Sequence, residues 1–130
     1  MTAANYTKYG DLRYTKPESY SINGGKFGEG GNWQDLFLEL MERYSKTHVV
    51  TEGNLSFIDT GARKLLVKNL DASPDDAKLR KQAIGGLWLL TNFDSRRLCQ
   101  FCFALASEMN IDLVIKIRPT KWRAENRLKS

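Results

Sequence analysis

The sequence predicts an α+β fold, with four helices around one core, a short antiparallel sheet that includes residues 111–118, and an irregular N-terminal arm. Several segments after residue 31 place apolar residues at helical spacing, and one segment near the C-terminus alternates between apolar and polar residues. Residues 1–31 show neither period. A chain of 130 residues is long enough for one modest core. We therefore expect an arm over residues 1–31, a single globular domain over 32–119 and a basic tail over 120–130.

The arm is rich in Tyr, Ser, Thr and Gly and ends in "NGGKFGEGG". This composition predicts an irregular or partly disordered segment, with room for one short strand near "DLRYT". The glycines do not form a phosphate-binding loop, because such a loop needs a buried strand before it and a Lys-Ser/Thr pair opening the next helix. A flexible joint is the expected role.

The first helix is predicted in "NWQDLFLELMERYSKT", where Asn32 is a suitable N-cap. One face of this helix is apolar and is expected to pack into the core. Its members are Trp33, Leu36, Phe37, Leu40, Met41 and Tyr44. The next stretch, residues 47–59, has β-branched and aromatic residues on either side of Glu-Gly-Asn, which favours a short hairpin.

A second and a third helix are predicted over residues 60–70 and 72–93. The third has a clear start signal, with Ser73 as cap and Pro74 at the first helical position. It then becomes apolar on all sides, which is typical of a buried helix. Gly85 and Gly86 inside it indicate a kink, a break or the close approach of a neighbouring element.

The fourth helix is predicted over residues 94–110, with Asp94 as cap and Asn110 as a left-handed stop. Its inward stripe consists of Leu98, Phe101, Cys102, Leu105 and Met109. After it, apolar and polar residues alternate over 111–118 and Pro119 ends the strand. This strand needs a partner for its backbone groups, and the candidates are the 47–59 hairpin, the arm, or the same strand of a second subunit in a homodimer.

No catalytic, metal or cofactor site is predicted. Cys99 and Cys102 form a Cys-x-x-Cys pair, but Cys99 lies beyond the first turn of its helix, where the dipole would no longer activate a thiol. A zinc site would need two more ligands, and His48 is the single histidine of the chain. We therefore expect buried structural thiols, a protein that is not an enzyme, and no cofactor.

The positive charge of the chain is concentrated at its C-terminal end. Residues 111–130 hold six Lys or Arg against two Asp or Glu, so they carry four of the five net positive charges. Cations of this density around a tryptophan are typical of contact with a nucleic-acid backbone, although charged tails are also often only solvated. The predicted tail contacts are Lys116, Arg118, Lys121, Trp122, Arg123, Arg127 and Lys129.

A second basic group lies on the predicted outer faces of the second and third helices. Its members are Arg63, Lys64, Lys68, Lys78, Arg80 and Lys81. The leading hypothesis is thus a small, non-enzymatic nucleic-acid-binding or regulatory protein, with DNA or RNA as the expected partner and a homodimer as the expected state. The alternative is a protein-binding adaptor or inhibitor that docks through Trp122, the tyrosines of the arm (Tyr6, Tyr9, Tyr14, Tyr20) and an open strand edge.

No apolar run reaches the ~20 residues that a membrane span needs, and the first residues lack the apolar centre of a secretory signal. These two features predict a cytoplasmic protein without a membrane contact.

Overall fold

A computed structural model describes residues 1–8, 12–51, 53–61, 65–67, 81–84, 87–91 and 93–120. In chain order the elements are a 3-10 turn (Tyr6–Lys8), β1 (Thr15–Ile22), β2 (Gly28–Glu29), α1 (Trp33–Ser45), β3 (Leu66–Val67), β4 (Lys81–Ile84), β5 (Leu87–Leu90), α2 (Ser95–Glu108) and β6 (Leu113–Pro119). Strands β2, β1 and β6 form a first antiparallel sheet in that order, and β3, β5 and β4 form a second.

The first sheet is built around β1, which lies between β2 and β6. Pairing with β6 runs from Thr15 opposite Pro119 to Ile22 opposite Leu113, and the register shifts between Pro17 and Ser19. Proline has no N–H for a ladder, so a position beside a bulge is one of the few that a sheet offers it. A Cβ on Gly30 would collide with the carbonyl of Pro17, so the chain can pass this close only with glycine there.

The glycine-rich segment, expected to be a flexible joint, forms the connection from β1 to β2. Asn23 has φ 54° and Gly24 has φ 74°, and the N–H of Gly25 donates to the Ile22 carbonyl at 3.0 Å. Asn23 also joins the start of β6, because its side-chain oxygen accepts from the N–H of Asp112 at 2.7 Å. The turn therefore sets where β6 enters the sheet.

Helix α1 confirms the first predicted helix. The Asn32 side chain accepts from the N–H of Asp35 at 2.7 Å, as an N-cap does. All six residues of the predicted apolar face are buried.

Helix α2 confirms the predicted fourth helix, and Asp94 caps it by accepting from the N–H of Arg97 at 2.8 Å. Asn110 has φ 57°, the left-handed conformation expected where the helix ends. The two helices meet through Phe37 and Phe101, whose ring centroids are 5.5 Å apart. The inward stripe is buried except for Met109, which is partly exposed.

The core lies between the two helices and the inner face of the first sheet, where Leu113 and Ile115 are buried. The first residues of the chain close one side of it. Tyr6 stacks on Phe103 at 4.7 Å, and the carbonyl of Met1 accepts from the N–H of Ile115 at 2.9 Å. The description of residues 1–31 as an irregular arm is therefore wrong, because this segment supplies β1 and β2 as well as packing onto α2.

The predicted four-helix core is also wrong. Within the described residues of 60–70 and 72–93 the chain forms β3, β4 and β5 instead of two helices. Ile84 pairs with Leu87 in an antiparallel ladder, which a single helix over this stretch could not form. Gly-Gly between short apolar runs is a signal for a two-residue hairpin, and a short apolar run does not by itself distinguish a buried helix from a strand. The predicted start at Ser73 and Pro74 lies outside the described residues.

The hairpin predicted over residues 47–59 is absent from the described part of that stretch, which forms turns. The N–H of Leu55 donates to the Thr51 carbonyl at 3.1 Å, and the N–H of Ile58 donates to the Leu55 carbonyl at 3.0 Å. These local bonds occupy the backbone groups that a strand would offer to a partner. Of the three candidates for pairing with β6, the structure therefore has the N-terminal segment.

Candidate functional site

The outer side of the first sheet carries three exposed cations, Lys16 on β1 and Lys116 and Arg118 on β6. We call these three residues the basic face. In the β1–β6 register Lys16 lies directly opposite Arg118, and Lys116 follows opposite Ser19. Opposed residues in an antiparallel pair have Cα atoms roughly 5 Å apart, so the side chains of Lys16 and Arg118 start from neighbouring positions on the same side of the sheet.

The basic face is not neutralised by the described carboxylates through direct ion pairs. Glu29 shares a row with Lys116, since both pair with Ser19 from opposite sides, but two strand spacings separate them, roughly 10 Å. The Lys116 ammonium instead lies 4.1 Å above the centre of the Phe27 ring. Phe27 is 43% exposed, so this corner of the sheet presents a cation and an aromatic ring together.

An open groove of about 440 Å³ adjoins the basic face. The first turns of both helices border it, as do the start of β1 and Thr120 after β6. Its lining includes the buried apolar side chains of Trp33, Phe93 and Leu98. Lys16 lines the groove as well as belonging to the basic face, so the two features share this residue.

Polar groups on the floor of the groove are used within the fold. The indole N–H of Trp33 donates to the Thr15 hydroxyl at 3.2 Å, and that hydroxyl donates to the Leu12 carbonyl at 2.6 Å. The Gln34 amide donates to the Thr91 carbonyl at 3.1 Å. The helix N-termini at the groove are already capped by Asn32 and Asp94, so we assign no anion site to them.

Tyr14 stands at the edge of the groove with a strained backbone. Its φ is 56°, a conformation that a bulky residue adopts rarely and at an energetic cost. Its side chain lines the groove and is 53% exposed. The N–H of Thr120 donates to the Tyr14 carbonyl at 2.7 Å, which joins this residue to the end of β6.

The sequence-predicted contacts fall into three groups. Lys116 and Arg118 are exposed and close to each other on β6. Lys81 lies on β4, so its assignment to a helix face is wrong. The others lie outside the described residues: Arg63, Lys64, Lys68, Lys78, Arg80, Lys121, Trp122, Arg123, Arg127 and Lys129.

Sequence reasoning missed Lys16 and the groove, and it named Tyr14 only as one of four arm tyrosines for docking on a protein. The alternation that reveals β6 is broken in β1 by Pro17 and the bulge, so Lys16 had no recognisable face. The groove joins segments that are distant along the chain, and no local pattern indicates it.

The cysteines are free and buried, as the sequence predicted for structural thiols. Burial raises the pKa of Cys99 to about 12 and that of Cys102 well above its ordinary value. The Cys99 thiol lies 3.5 Å from the Met1 sulfur. Both thiols are therefore protonated near neutral pH, the opposite of what a redox or nucleophilic cysteine requires.

The described residues contain no cluster of three or more His, Cys, Asp or Glu side chains that could hold a metal ion. His48 is exposed, stacks on Tyr44 with 4.4 Å between the ring centroids, and has its Nδ1 atom 2.8 Å from the Thr47 hydroxyl. Neither described helix combines the length and the apolar composition that crossing a bilayer requires.

No protein-family model matches the chain, and no match is found among curated proteins or solved structures.

Proposed function

We propose that this protein binds nucleic acid through its phosphate backbone, with the basic face as the described part of the contact. Lys16, Lys116 and Arg118 would each replace a condensed counterion on the nucleic acid, and release of these ions favours binding. The chain continues beyond Thr120 into a segment with four more Lys or Arg residues, which we propose as further phosphate contacts. Binding of this kind needs no catalysis and no cofactor.

The observation that carries the proposal is the position of Lys16 opposite Arg118. Like charges directly opposite each other destabilise a β-ladder, so a fold gains nothing from this arrangement by itself. A phosphate group between the two side chains would be attracted to both and would offset their mutual repulsion. The side chains are exposed and thus reach solvent without any rearrangement of the sheet.

The basic helix faces of residues 60–70 and 72–93 are not part of this proposal. Of their six residues only Lys81 is described, and it lies on strand β4 rather than on a helix. The basic face of the first sheet takes their place in the proposal, because Lys116 and Arg118 come directly before residues 120–130 in the sequence.

The adaptor hypothesis depended on Trp122, an aromatic arm and an open strand edge, and the packing of the described tyrosines weakens the second of these grounds. Tyr6 stacks on Phe103. Tyr20 is partly buried beside Glu39, and burial first, then the Glu39 carboxylate, raises the pKa of Tyr20. Tyr14 is the one largely exposed member among the three that are described.

A salt titration tests the proposal. Affinity for fluorescent single-stranded and duplex oligonucleotides is measured by anisotropy at increasing NaCl. Each phosphate contact contributes about −0.7 to the slope of log K against log salt for single strands and about −0.9 for duplexes. The three described cations alone predict a slope of about −2 for single strands, and contacts from the tail make it steeper.

The paired variants K16Q/R118Q and R43Q/K46Q separate this site from total charge. Each pair removes two exposed positive charges, but Arg43 and Lys46 lie at the C-terminal end of α1. We expect the first pair to reduce the single-strand slope by about 1.4 and the second to leave it nearly unchanged. Equal effects of the two pairs, or no salt-dependent binding by the wild type, would contradict the proposal.

A further inference from the structure

The groove beside the basic face has dimensions and a lining suited to one unpaired nucleotide. Its volume of about 440 Å³ is within the range typical of small-ligand sites, roughly 300–1,000 Å³. Buried aromatic and aliphatic side chains, Trp33, Phe93 and Leu98, form part of its wall. An open groove with apolar residues in its wall suits a nucleobase better than a charged group.

Tyr14 places an aromatic ring where such a base would enter. More than half of its surface is exposed, and its backbone is held in a costly left-handed conformation. Tyr14 lies two residues before Lys16 and is bonded through its carbonyl to Thr120, two residues after Arg118. An aromatic ring next to cations is the combination that single-strand binding proteins use, with the base stacked and the phosphate paired.

We infer that the preferred ligand is single-stranded nucleic acid, with an unpaired base stacked on Tyr14 at the mouth of the groove and the adjoining phosphates on Lys16 and Arg118. This inference rests on the proposed function. It goes beyond it because the bases of an intact duplex are stacked inside the helix and do not reach a ring at the edge of a groove. In this arrangement the cations bind the phosphate backbone, and the groove receives the base.

The test compares the wild type with Tyr14→Leu and Tyr14→Phe on four ligands of equal length. These are single-stranded oligo-dT, single-stranded oligo-U, a mixed-sequence duplex and an abasic single strand that keeps the phosphates but lacks bases. Leucine keeps an apolar side chain on the same strained backbone, and phenylalanine keeps the ring. Thermal unfolding of each variant is measured in parallel, to verify that all three proteins are folded at the assay temperature.

We expect single strands to bind more tightly than the duplex, with either sugar satisfying the inference. Tyr14→Leu should weaken single-strand binding roughly fivefold to a hundredfold, and Tyr14→Phe should change it little. Neither substitution should alter binding to the duplex or to the abasic strand, because those ligands offer no base to the ring.

Two results overturn the inference, and they differ from failure of the proposed function. Salt-dependent binding with no effect of Tyr14→Leu, or an equal effect on abasic and base-containing strands, removes the stacking role but keeps the phosphate contact. If no ligand binds in a salt-dependent manner, the proposed function falls and the inference falls with it.

Discussion

The two faces of the β1–β6 pair have opposite roles, although they belong to the same two strands. On the inner face Leu113 and Ile115 are buried in the core beneath the helices. On the outer face Lys116 and Arg118 alternate with them and meet Lys16 across the ladder. The inner face stabilises the fold through apolar burial, whereas the outer face places like charges together at some cost. A face that weakens its own sheet is where a charged partner is expected.

The largest effect should come from the inner face. Ile115→Ala removes a side chain with no exposed surface and should lower the free energy of unfolding by about 2–5 kcal/mol. The matched change at the next position, Lys116→Ala, should cost no more than about 1 kcal/mol, the value of its contact with Phe27. Urea denaturation measures both. Similar losses for the two variants would show that the faces are not distinct.

A smaller effect on the free energy of unfolding should come from the two buried cysteine thiols, and it should depend on pH. An acid whose pKa is raised on folding stabilises the folded state below its unfolded pKa, and this contribution is lost as the pH rises above that value. The unfolded value is about 8.5 for cysteine, and the folded pKa of Cys99 is about 12. We expect about 1 kcal/mol of stability to be lost for each of Cys99 and Cys102 between pH 8 and pH 9.5.

Urea unfolding at the two pH values measures this loss, and the double variant C99A/C102A is the control. Its stability should change less between pH 8 and pH 9.5, because the alanines have no proton to lose. An identical pH dependence in both proteins would show that the thiols are not shielded from water as the structure has them.

The smallest effect should come from the outer face, and its sign is opposite. Arg118→Gln removes the charge opposite Lys16 and should raise the free energy of unfolding by a few tenths of a kcal/mol, most clearly at low salt. The same variant should bind nucleic acid less tightly. A loss of stability at low salt would mean that Arg118 supports the sheet rather than a ligand.

Three elements could be predicted from local patterns because their signals are complete within the segment. In α1 the Asn32 cap and six apolar residues at helical spacing suffice, and in α2 Asp94, the apolar stripe and Asn110 do the same. Strand β6 alternates regularly, so its outward cations Lys116 and Arg118 could be predicted as exposed. Each of these patterns follows the repeat of its backbone, about 3.6 residues in the two helices and two residues in the strand.

The second sheet and strand β1 could not be predicted in the same way. From Ala83 to Leu90 the chain is apolar, and such a run fits a buried helix as well as a strand until its partners are known. In β1, Pro17 and the bulge interrupt the alternation, so the strand is recognised only by its pairing with β6.

The features of the candidate site can likewise be divided into those that local sequence determines and those that depend on long-range pairing. By itself the sequence determined the concentration of positive charge near the C-terminus, the two outward cations of β6 and the absence of an activated cysteine, because charge and period are local properties. Only the tertiary structure decided that Lys16 faces Arg118 and that Tyr14 meets Thr120 at the rim of a groove. Those contacts join residues about a hundred positions apart, and pairing over such distances depends on the whole fold rather than on any one segment.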